Sequence, residues 1–298
     1  MSKVLLVGAT GNLGPHLANA LVQDGHDVTA VLRPASFVNK EKTAPLGLLG
    51  IKIVEGDMDD PSSIKEACQG KDIVVSAVGG DHLGQQVALA AMAKEAGVKR
   101  FVPSEFGVDP ISAGPGICDL FDFKASIQGQ IKELGIPTTM IYNNGFMEFW
   151  ATGLGQLGPS SPPDSVQVYG SGSTRAYMTS LPDIARYVSA IVADPRTENQ
   201  EVKIQNVSTT QVEMINTWQD LTGKSVEKVP VSAQDLDAII ASSNTPETFM
   251  QKVFTQLHKS VWINEDCMKS RPEVIDAKDL YPQIKPKNIR QYLSQFIE

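Results

Sequence analysis

The chain has 298 residues, of which 42% are hydrophobic and 20% charged, and this composition is typical of a globular protein with a substantial core. The net charge of −8 argues against a general nucleic-acid binder, because contacts to phosphates need a basic surface. No apolar run approaches the roughly 20 residues that a membrane helix requires. A strand is predicted from residue 3 and three scattered cysteines form no disulfide framework, so we expect a cytoplasmic protein without a signal peptide.

A glycine-rich turn follows the first predicted strand. Residues 4–14 read Val-Leu-Leu-Val-Gly-Ala-Thr-Gly-Asn-Leu-Gly, and a helix is predicted over residues 15–23. The first glycine allows a tight turn, the second lets the backbone approach a phosphate, and the third lets the helix pack closely on the strand. The helix start then offers N–H groups to an anion. The pattern predicts a dinucleotide site, with a turn that merely packs as the alternative. The residues predicted to bind the dinucleotide here are Gly8, Thr10, Gly11, Asn12, Leu13 and Gly14.

The second predicted strand covers residues 27–32 and is followed by Arg33. In a dinucleotide-binding fold this position faces the adenosine ribose, where an acid accepts from the 2′-hydroxyl of NAD and a base accommodates the 2′-phosphate of NADP. Arg33, with Lys40 and Lys42 in the loop beyond it, therefore favours NADP(H) as the cofactor. For either lysine singly, a solvated loop charge is an equally good interpretation.

Strands and helices continue to alternate up to about residue 150. Strands are predicted over 51–55, 72–77, 100–102 and 138–142, and helices after Asp60 and over about 83–96 and 122–135. Right-handed crossovers then give a parallel, doubly wound Rossmann sheet, an α/β fold, with residues 1–150 as the NADP(H)-binding domain. Such sheets bind ligands at the carboxyl ends of their strands. The cofactor contacts predicted at those ends are Ser76, Val78, Gly79, Ser104, Glu105, Phe106, Asn143 and Asn144.

Two polar residues near the predicted cofactor edge have two interpretations each. Asp57 follows the third strand and is either a partner of the adenine amino group or a turn-forming aspartate. His82 is either a residue at the cofactor edge or a surface histidine. The histidines at positions 16, 26, 82 and 258 do not have the spacing of metal ligands, so no metal is expected.

Beyond residue 150 the alternation loosens. Short strands are predicted over 166–169 and 202–207, and helices over 182–193, 210–222, 232–258 and 287–297. We therefore expect residues 151–298 to form a smaller, helix-rich, substrate-binding lobe. Part of the segment 165–207 is expected to pack back on the first domain.

Four segments point to one family. They are residues 8–14, the stretch Val-Lys-Arg-Phe-Val-Pro-Ser-Glu-Phe-Gly-Val-Asp-Pro at 98–110, the stretch Val-Tyr-Gly-Ser-Gly at 168–172, and Leu-Tyr-Pro at 280–282. Together they resemble the isoflavone reductase-like proteins, a group of atypical short-chain dehydrogenases next to the NmrA-like proteins. The resemblance covers essentially the whole chain. It implies an NADPH-dependent reductase of phenylpropanoid or flavonoid-type compounds.

Lys124 stands where the enzymes of this group have a lysine that acts as general base or proton relay, so the resemblance implies that role here. The Tyr-x-x-x-Lys pair of ordinary short-chain dehydrogenases is absent, because residue 120 is a leucine, as fits the isoflavone reductase-like group. A lysine near a helix start and beside an apolar ring has a lowered pKa and can exchange a phenolic proton. A lysine that only binds the nicotinamide ribose is the alternative.

The predicted substrate pocket is aromatic, although aromatic residues at such positions are more often part of a core. The residues predicted to contact the substrate are Phe146, Met147, Trp150 and Tyr169, with Phe149, Phe254 and Trp262 as further candidates. One turn after Lys124, where the group's reductases commonly carry basic residues, this chain has Gln-Gly-Gln at 128–130. This departure leaves the identity of the substrate open.

The first functional hypothesis is an NADPH-dependent reductase of an aromatic, phenylpropanoid- or flavonoid-like, or polyketide-like small molecule, acting as a monomer or homodimer. The second is a non-catalytic, NmrA-like regulator that senses NADP(H) and binds a partner protein. A cofactor-dependent isomerase is the third. A lysine at the position expected for the reductases favours the enzyme, because a sensor has no need of it.

Overall fold

The computed structural model describes residues 1–297 except the side chain of residue 81. The strands are β1 (Lys3–Val7), β2 (Asp27–Leu32), β3 (Lys52–Glu55), β4 (Ile73–Ser76), β5 (Arg100–Val102), β6 (Met140–Tyr142), β7 (Gly145–Phe146), β8 (Ser165–Tyr169), β9 (Arg175–Thr179), β10 (Glu201–Lys203), β11 (Val207–Thr210), β12 (Glu227–Val231) and β13 (Ile275–Asp276). The α-helices are α1 (Gly14–Gln23), α2 (Pro34–Phe37), α3 (Lys40–Leu48), α4 (Pro61–Cys68), α5 (Gln86–Glu95), α6 (Pro110–Ala113), α7 (Asp119–Leu134), α8 (Met147–Trp150), α9 (Leu181–Ala193), α10 (Gln211–Thr222), α11 (Ala233–Ser242), α12 (Phe249–Trp262), α13 (Ala277–Leu280) and α14 (Ile289–Leu293). None of the helices described is both long and apolar enough to cross a membrane.

Five parallel strands form the central sheet in the order β3-β2-β1-β4-β5. A parallel bridge between Phe101 and Thr138 connects β5 to a second parallel group made of β6, β10 and β13. The strand order reverses between β1 and β4, and the carboxyl ends of those two strands form the crevice where such sheets bind ligands. The predicted fold class, a doubly wound α/β Rossmann sheet, is confirmed.

The central sheet is covered on both faces, which is why its strands are nearly continuous apolar runs. Successive side chains of β1 point to opposite faces. Val4 and Leu6 belong to a hydrophobic cluster with α1 and α9, while Leu5 and Val7 belong to another with α4, α5 and α7. Because α9 and β10 are part of this body, residues 181–203 contribute to the Rossmann unit although they follow residue 150.

A second core contains residues of β8, β9, α10, α12 and α14, together with the aromatic side chains of Trp150, Trp218 and Trp262. Its strands form two small sheets, β8 with β12, and β9 between β7 and β11. This core also includes Val108 and Phe121 from the first half of the chain. The boundary at residue 150 stays a prediction.

The second half contains more strands than the sequence pattern predicts. The helix predicted over 232–258 is two helices, α11 and α12, with Pro246 in the connection. The strand predicted over 202–207 is two short strands, β10 and β11, which join different sheets. Strand β12 was not predicted because it is largely exposed and contains Pro230, so it has neither apolar alternation nor a typical strand composition.

Candidate functional site

The glycine-rich turn between β1 and α1 has the geometry that the sequence predicts. Gly8 has a φ of +88°, and a Cβ there would lie 2.6 Å from the carbonyl oxygen of Ala77 at the end of β4. A Cβ at Gly14 would lie 2.2 Å from the carbonyl oxygen of Gly8. These two glycines are therefore required by packing. The start of α1 has no side-chain cap, so the positive end of the helix dipole is open to an anion. Pro15 has no N–H, and the N–H groups of His16 and Leu17 donate to the carbonyl oxygen of Leu13.

A cavity of about 240 Å³ opens beside this turn at the carboxyl ends of β1, β2 and β4. Its lining residues include Gly8, Thr10, Gly11, Arg33, Ser36, Lys42, Gly56, Met58, Ile64, Val78, Gly79 and His82. Asn12 is exposed beside the turn, and Leu13, Gly14 and Ser76 are buried behind the lining. The cavity thus runs from the glycine turn to a basic end after β2, as a dinucleotide with a 2′-phosphate requires.

The basic end of this cavity is formed by Arg33, Lys42 and His82, and no acidic side chain lines it among the residues that the structure describes. The Nη1 atom of Arg33 lies 3.0 Å from Nε2 of His82, and Nδ1 of His82 lies 2.9 Å from Oε1 of Gln85. Because a guanidinium can only donate, His82 accepts at Nε2 and donates from Nδ1. Asp57 accepts from the backbone N–H of Asp59 at 3.0 Å, so its carboxylate stabilises a turn.

A second cavity of about 400 Å³ lies between the Rossmann unit and the second core. Its wall is largely apolar and includes Phe106, Val108, Leu120, Phe121, Phe146, Phe149, Trp150, Leu157, Phe254, Leu257 and Val261. Lys124 is the one charged side chain among the described residues that line it. A cavity of this size and character fits an aromatic ligand with a polar group at one end.

Some of the predicted substrate residues line this cavity, and the others lie in the second core without reaching the cavity. Phe146 and Trp150 line the cavity, as do Phe149 and Phe254. In contrast, Met147, Tyr169 and Trp262 are almost completely buried in the second core and are not part of the cavity wall. Packing accounts for the difference, because the ring of Tyr169 lies 4.6 Å from that of His258 and the indole of Trp262 donates to the carbonyl oxygen of Gly155.

Lys124 lies in the second turn of α7 and its side chain is only 8% exposed. Its Nζ donates to the backbone carbonyl oxygen of Glu105 at 2.5 Å. Burial lowers the pKa of Lys124 from its ordinary value, and the negative charge of Glu105 opposes that change. A lysine in this state can lose and regain a proton more readily than one in water.

Ser104 and Glu105 hold the loop after β5 in place. The hydroxyl of Ser104 donates to the carbonyl oxygen of Val78 at 2.7 Å, and its N–H donates to Oε1 of Gln86 at 2.6 Å. Glu105 is fully buried and accepts from Nε2 of Gln128 at 2.9 Å. Both residues are predicted cofactor contacts. The loop after β5 accepts from Lys124 at Glu105, and through Val78 its Ser104 connects it to the cavity beside the glycine turn.

Asn143 and Asn144 follow β6 and are buried next to the loop after β5. Asn144 has a φ of +57°, and its N–H donates to the carbonyl oxygen of Gly107 at 2.9 Å. The side-chain Nδ2 of Asn144 donates to the backbone carbonyl oxygen of Ile204 at 3.2 Å. Among the described residues, the Oδ1 atoms of both asparagines and the hydroxyl of Ser76 are buried without a hydrogen-bond partner. Buried polar atoms of this kind fit a polar ligand at the carboxyl edge of the sheet.

Comparison with known proteins matches this geometry to one family. A sequence model of the NmrA-like family matches residues 1–293. The chain belongs to the NmrA-like family. Its relatives within the family are isoflavone reductase-like, which confirms the resemblance found in the sequence.

Two relatives and one solved structure illustrate the similarity of this NmrA-like protein. Pinoresinol reductase 1 of Arabidopsis thaliana is 35% identical over 99% of this chain and 97% of its own length. Isoflavone reductase homolog A622 of Nicotiana tabacum is 32% identical over 99% of this chain and 98% of its own length. A solved structure of AtPrR2 with NADP+ and (+)pinoresinol has a TM-score of 0.88 at 33% identity and covers 99% of both chains.

Sequence reasoning missed two polar residues of this NmrA-like site. Gln86 begins α5 and Gln128 lies within α7, and both are almost completely buried. Gln86 bonds to Ser104 and Gln128 to Glu105, across 18 and 23 residues of sequence. The only signal in the sequence is the Gln-Gly-Gln at 128–130, where the resemblance implies basic residues. A glutamine in a helix otherwise predicts an exposed position.

Proposed function

We propose that this protein is an NADPH-dependent reductase of a small aromatic molecule, in which Lys124 moves a proton to or from the substrate. The observation that carries the proposal is the position of Lys124. It is the charged residue of a largely apolar cavity, and its Nζ donates to Glu105 in the loop after β5. The neighbouring Ser104 connects that loop by a hydrogen bond to Val78, which lines the cavity beside the glycine turn. Proton transfer and cofactor binding are thus joined at one edge of the sheet.

The chain's own residues fit NADP(H). The turn from Gly8 to Gly14 and the start of α1 would hold the pyrophosphate, because Gly8, Thr10 and Gly11 line the cavity beside the positive end of that helix. Arg33 and Lys42 would hold the 2′-phosphate, and Met58 and Ile64 offer an apolar wall for the adenine. When bound, the nicotinamide of NADPH supplies the hydride. The relative solved with NADP+ has the same fold over nearly its whole length, and this supports the assignment.

The apolar cavity determines how the substrate is bound and oriented at Lys124. Side chains such as Phe146, Trp150 and Phe254 hold an aromatic body and exclude water. A phenolic hydroxyl placed at Lys124 can give its proton to Nζ when the lysine is neutral. A carbonyl or phenolate oxygen placed there can receive a proton from Nζ when the lysine is charged. Holding the substrate in one orientation contributes a large part of the rate increase. Pinoresinol, bound in one relative, is an aromatic molecule, which supports a substrate of the phenylpropanoid type.

NADPH oxidation with a panel of phenolic, flavonoid, quinone and enone compounds tests this proposal. We expect turnover with at least one aromatic compound, and we expect Lys124→Ala to lower kcat by roughly 100-fold or more while NADPH affinity is kept. Lys132→Ala is the matched control, because Lys132 lies on the same helix but is exposed and paired with Glu201. Its kcat should stay within about twofold of wild type.

Two other outcomes lead to different conclusions. Equal turnover in wild type and Lys124→Ala would reduce Lys124 to a residue that binds the cofactor or substrate. NADPH binding without oxidation by any compound would favour a regulator that senses NADP(H). In that case a pull-down of partner proteins with and without NADPH is the next experiment.

A further inference from the structure

Glu105 is a fully buried carboxylate that has no basic partner in direct contact. Its Oε2 accepts from the amide of Gln128 at 2.9 Å, and within the described chain its Oε1 has no hydrogen-bond partner. No lysine, arginine or histidine nitrogen lies within 4.0 Å of the carboxylate in the part of the chain that the structure describes. Because charges interact more strongly away from water, a buried carboxylate in this position stabilises the nearest positive charge.

Lys124 is the cation that contacts Glu105. Its Nζ donates a hydrogen bond to the backbone carbonyl oxygen of Glu105 at 2.5 Å, so the ammonium lies beside the residue that bears the carboxylate. Burial raises the pKa of Glu105 and lowers the pKa of Lys124, and each residue's charge opposes the change in the other. Among the residues that the structure describes, Glu105 is the charged group that acts on the ammonium of Lys124.

The remaining acids around Glu105 already have partners of their own. Asp109 and Glu201 both face Glu105 and raise its pKa further. The guanidinium of Arg271 contacts both of them, with Nε 3.0 Å from Oδ2 of Asp109, and Lys132 lies 2.9 Å from Oε1 of Glu201. Arg271 and Lys132 are therefore occupied by these acids. Lys124 is left as the counter-charge of Glu105.

Gln128 holds the Glu105 carboxylate without neutralising it. Its Nε2 donates to Glu105, while the hydroxyl of Tyr142 lies 3.4 Å from its Oε1 and 2.9 Å from Oε2 of Glu201. A lysine or arginine at position 128 would instead place a second positive charge beside Glu105. The neutral amide keeps the negative charge of Glu105 available to Lys124.

We propose that Glu105 is a positioning residue that stabilises the ammonium form of Lys124, and that the neutral side chain of Gln128 makes this possible. The proposal rests on the proposed function, because it concerns the protonation state of the lysine to which that function assigns proton transfer. Glu105 does not touch the substrate. It acts through Lys124 by orienting Nζ with its carbonyl oxygen and by favouring the protonated form with its carboxylate.

NMR titration of Lys124 tests this inference without any substrate. Protein labelled with [ε-13C]lysine gives a lysine signal that is assigned to Lys124 by its loss in Lys124→Arg. We expect Glu105→Gln to lower the pKa of Lys124 by at least about one pH unit, a tenfold loss of proton affinity, because an opposite charge is removed from a buried site. Glu201→Gln is the matched control and should leave this pKa unchanged, because Glu201 has Lys132 and Arg271 as partners.

A second variant keeps the inference testable if Glu105→Gln does not fold. Gln128→Lys retains Glu105 but gives it a competing cation, so it should also lower the pKa of Lys124. An unchanged or raised pKa in both variants, or an equal fall in Glu201→Gln, would overturn the proposal. In both variants, the limb of the pH profile of kcat/KM that reports the ionisation of Lys124 should move to lower pH by the same amount as the pKa. If the pKa of Lys124 is the same in wild type, Glu105→Gln and Gln128→Lys although turnover depends on Lys124, the reductase assignment stands and the proposed role of Glu105 is wrong.

Discussion

Arg33 and Lys124 are the two basic residues on which the proposed chemistry depends, and the fold treats them differently. Arg33 is exposed after β2 and reaches across to His82, while Lys124 is buried beside an apolar cavity. An arginine keeps its charge and binds an anion, whereas a buried lysine can lose its charge and exchange a proton. The difference in burial therefore separates a binding role from a catalytic one.

The role of Arg33 leads to a prediction about cofactor preference. We expect Arg33→Gln to weaken NADPH binding by roughly 10- to 100-fold, because hydrogen bonds to a charged group contribute about 1.5–3 kcal/mol. NADH has no 2′-phosphate, so its affinity should change little. Fluorescence titration of both nucleotides measures the two effects. Lys40→Gln serves as control, since Lys40 is exposed and not part of the cavity wall. A parallel loss of NADPH and NADH affinity would contradict the assignment.

At the residue scale, short motifs were predictable and long-range contacts were not. Gly8, Arg33 and Lys124 can be found because each belongs to a local pattern or a family segment. The contacts of Gln86 with Ser104 and of Gln128 with Glu105 depend on tertiary packing, so no local pattern reports them. Met147 illustrates the opposite problem, because an apolar residue near a pocket and one in a core have the same sequence signal.

At the scale of single elements, the helices α1 and α7 contain glycines with opposite requirements. Gly14 has no room for a side chain, since a Cβ would lie 2.2 Å from the carbonyl oxygen of Gly8. Gly129 is exposed within α7, and a Cβ there would meet no atom within 4 Å. The first glycine is fixed by packing, while the second only weakens its helix.

These two glycines give a matched pair of stability predictions. Gly14→Ala should lower the free energy of unfolding by about 1–3 kcal/mol or more, because the turn must shift to remove the collision. It should also weaken NADPH binding. Gly129→Ala should raise the free energy of unfolding by about 0.5–1 kcal/mol, because alanine restricts the unfolded chain and favours helix. Urea unfolding measures both. A stable Gly14→Ala protein with normal NADPH affinity would contradict the geometry of the turn.

Element prediction succeeded where periodicity was strong. The parallel strands of the central sheet and helices such as α7 and α9 have long apolar patterns bounded by caps, for example Gly135 with a φ of +69° after α7. The strands β9 and β12 of the second half were not predicted, because short strands of small sheets have no reliable pattern. Their pairing is decided by the packing of the second core.

At the scale of the whole molecule, the apolar cavity exists only because the two cores meet. Lys124 and Phe106 come from the Rossmann unit, while Leu157, Phe254 and Val261 come from the later part of the chain. One body supplies the basic group and the cofactor edge, and the other closes an aromatic-lined space over it. The sequence could predict this division of labour, but not which aromatic residues face the cavity, because that depends on how the two bodies pack.

The central claim is that hydride passes from the nicotinamide to an aromatic substrate held beside Lys124. The most direct measurement uses NADPH deuterated at both C4 positions of the nicotinamide, with mass spectrometry of the product formed from an aromatic compound that the protein turns over. We expect a product that carries one deuterium, and we expect its formation to be slowed at least roughly 100-fold in Lys124→Ala. A product without deuterium, or one formed equally fast without NADPH, would contradict it.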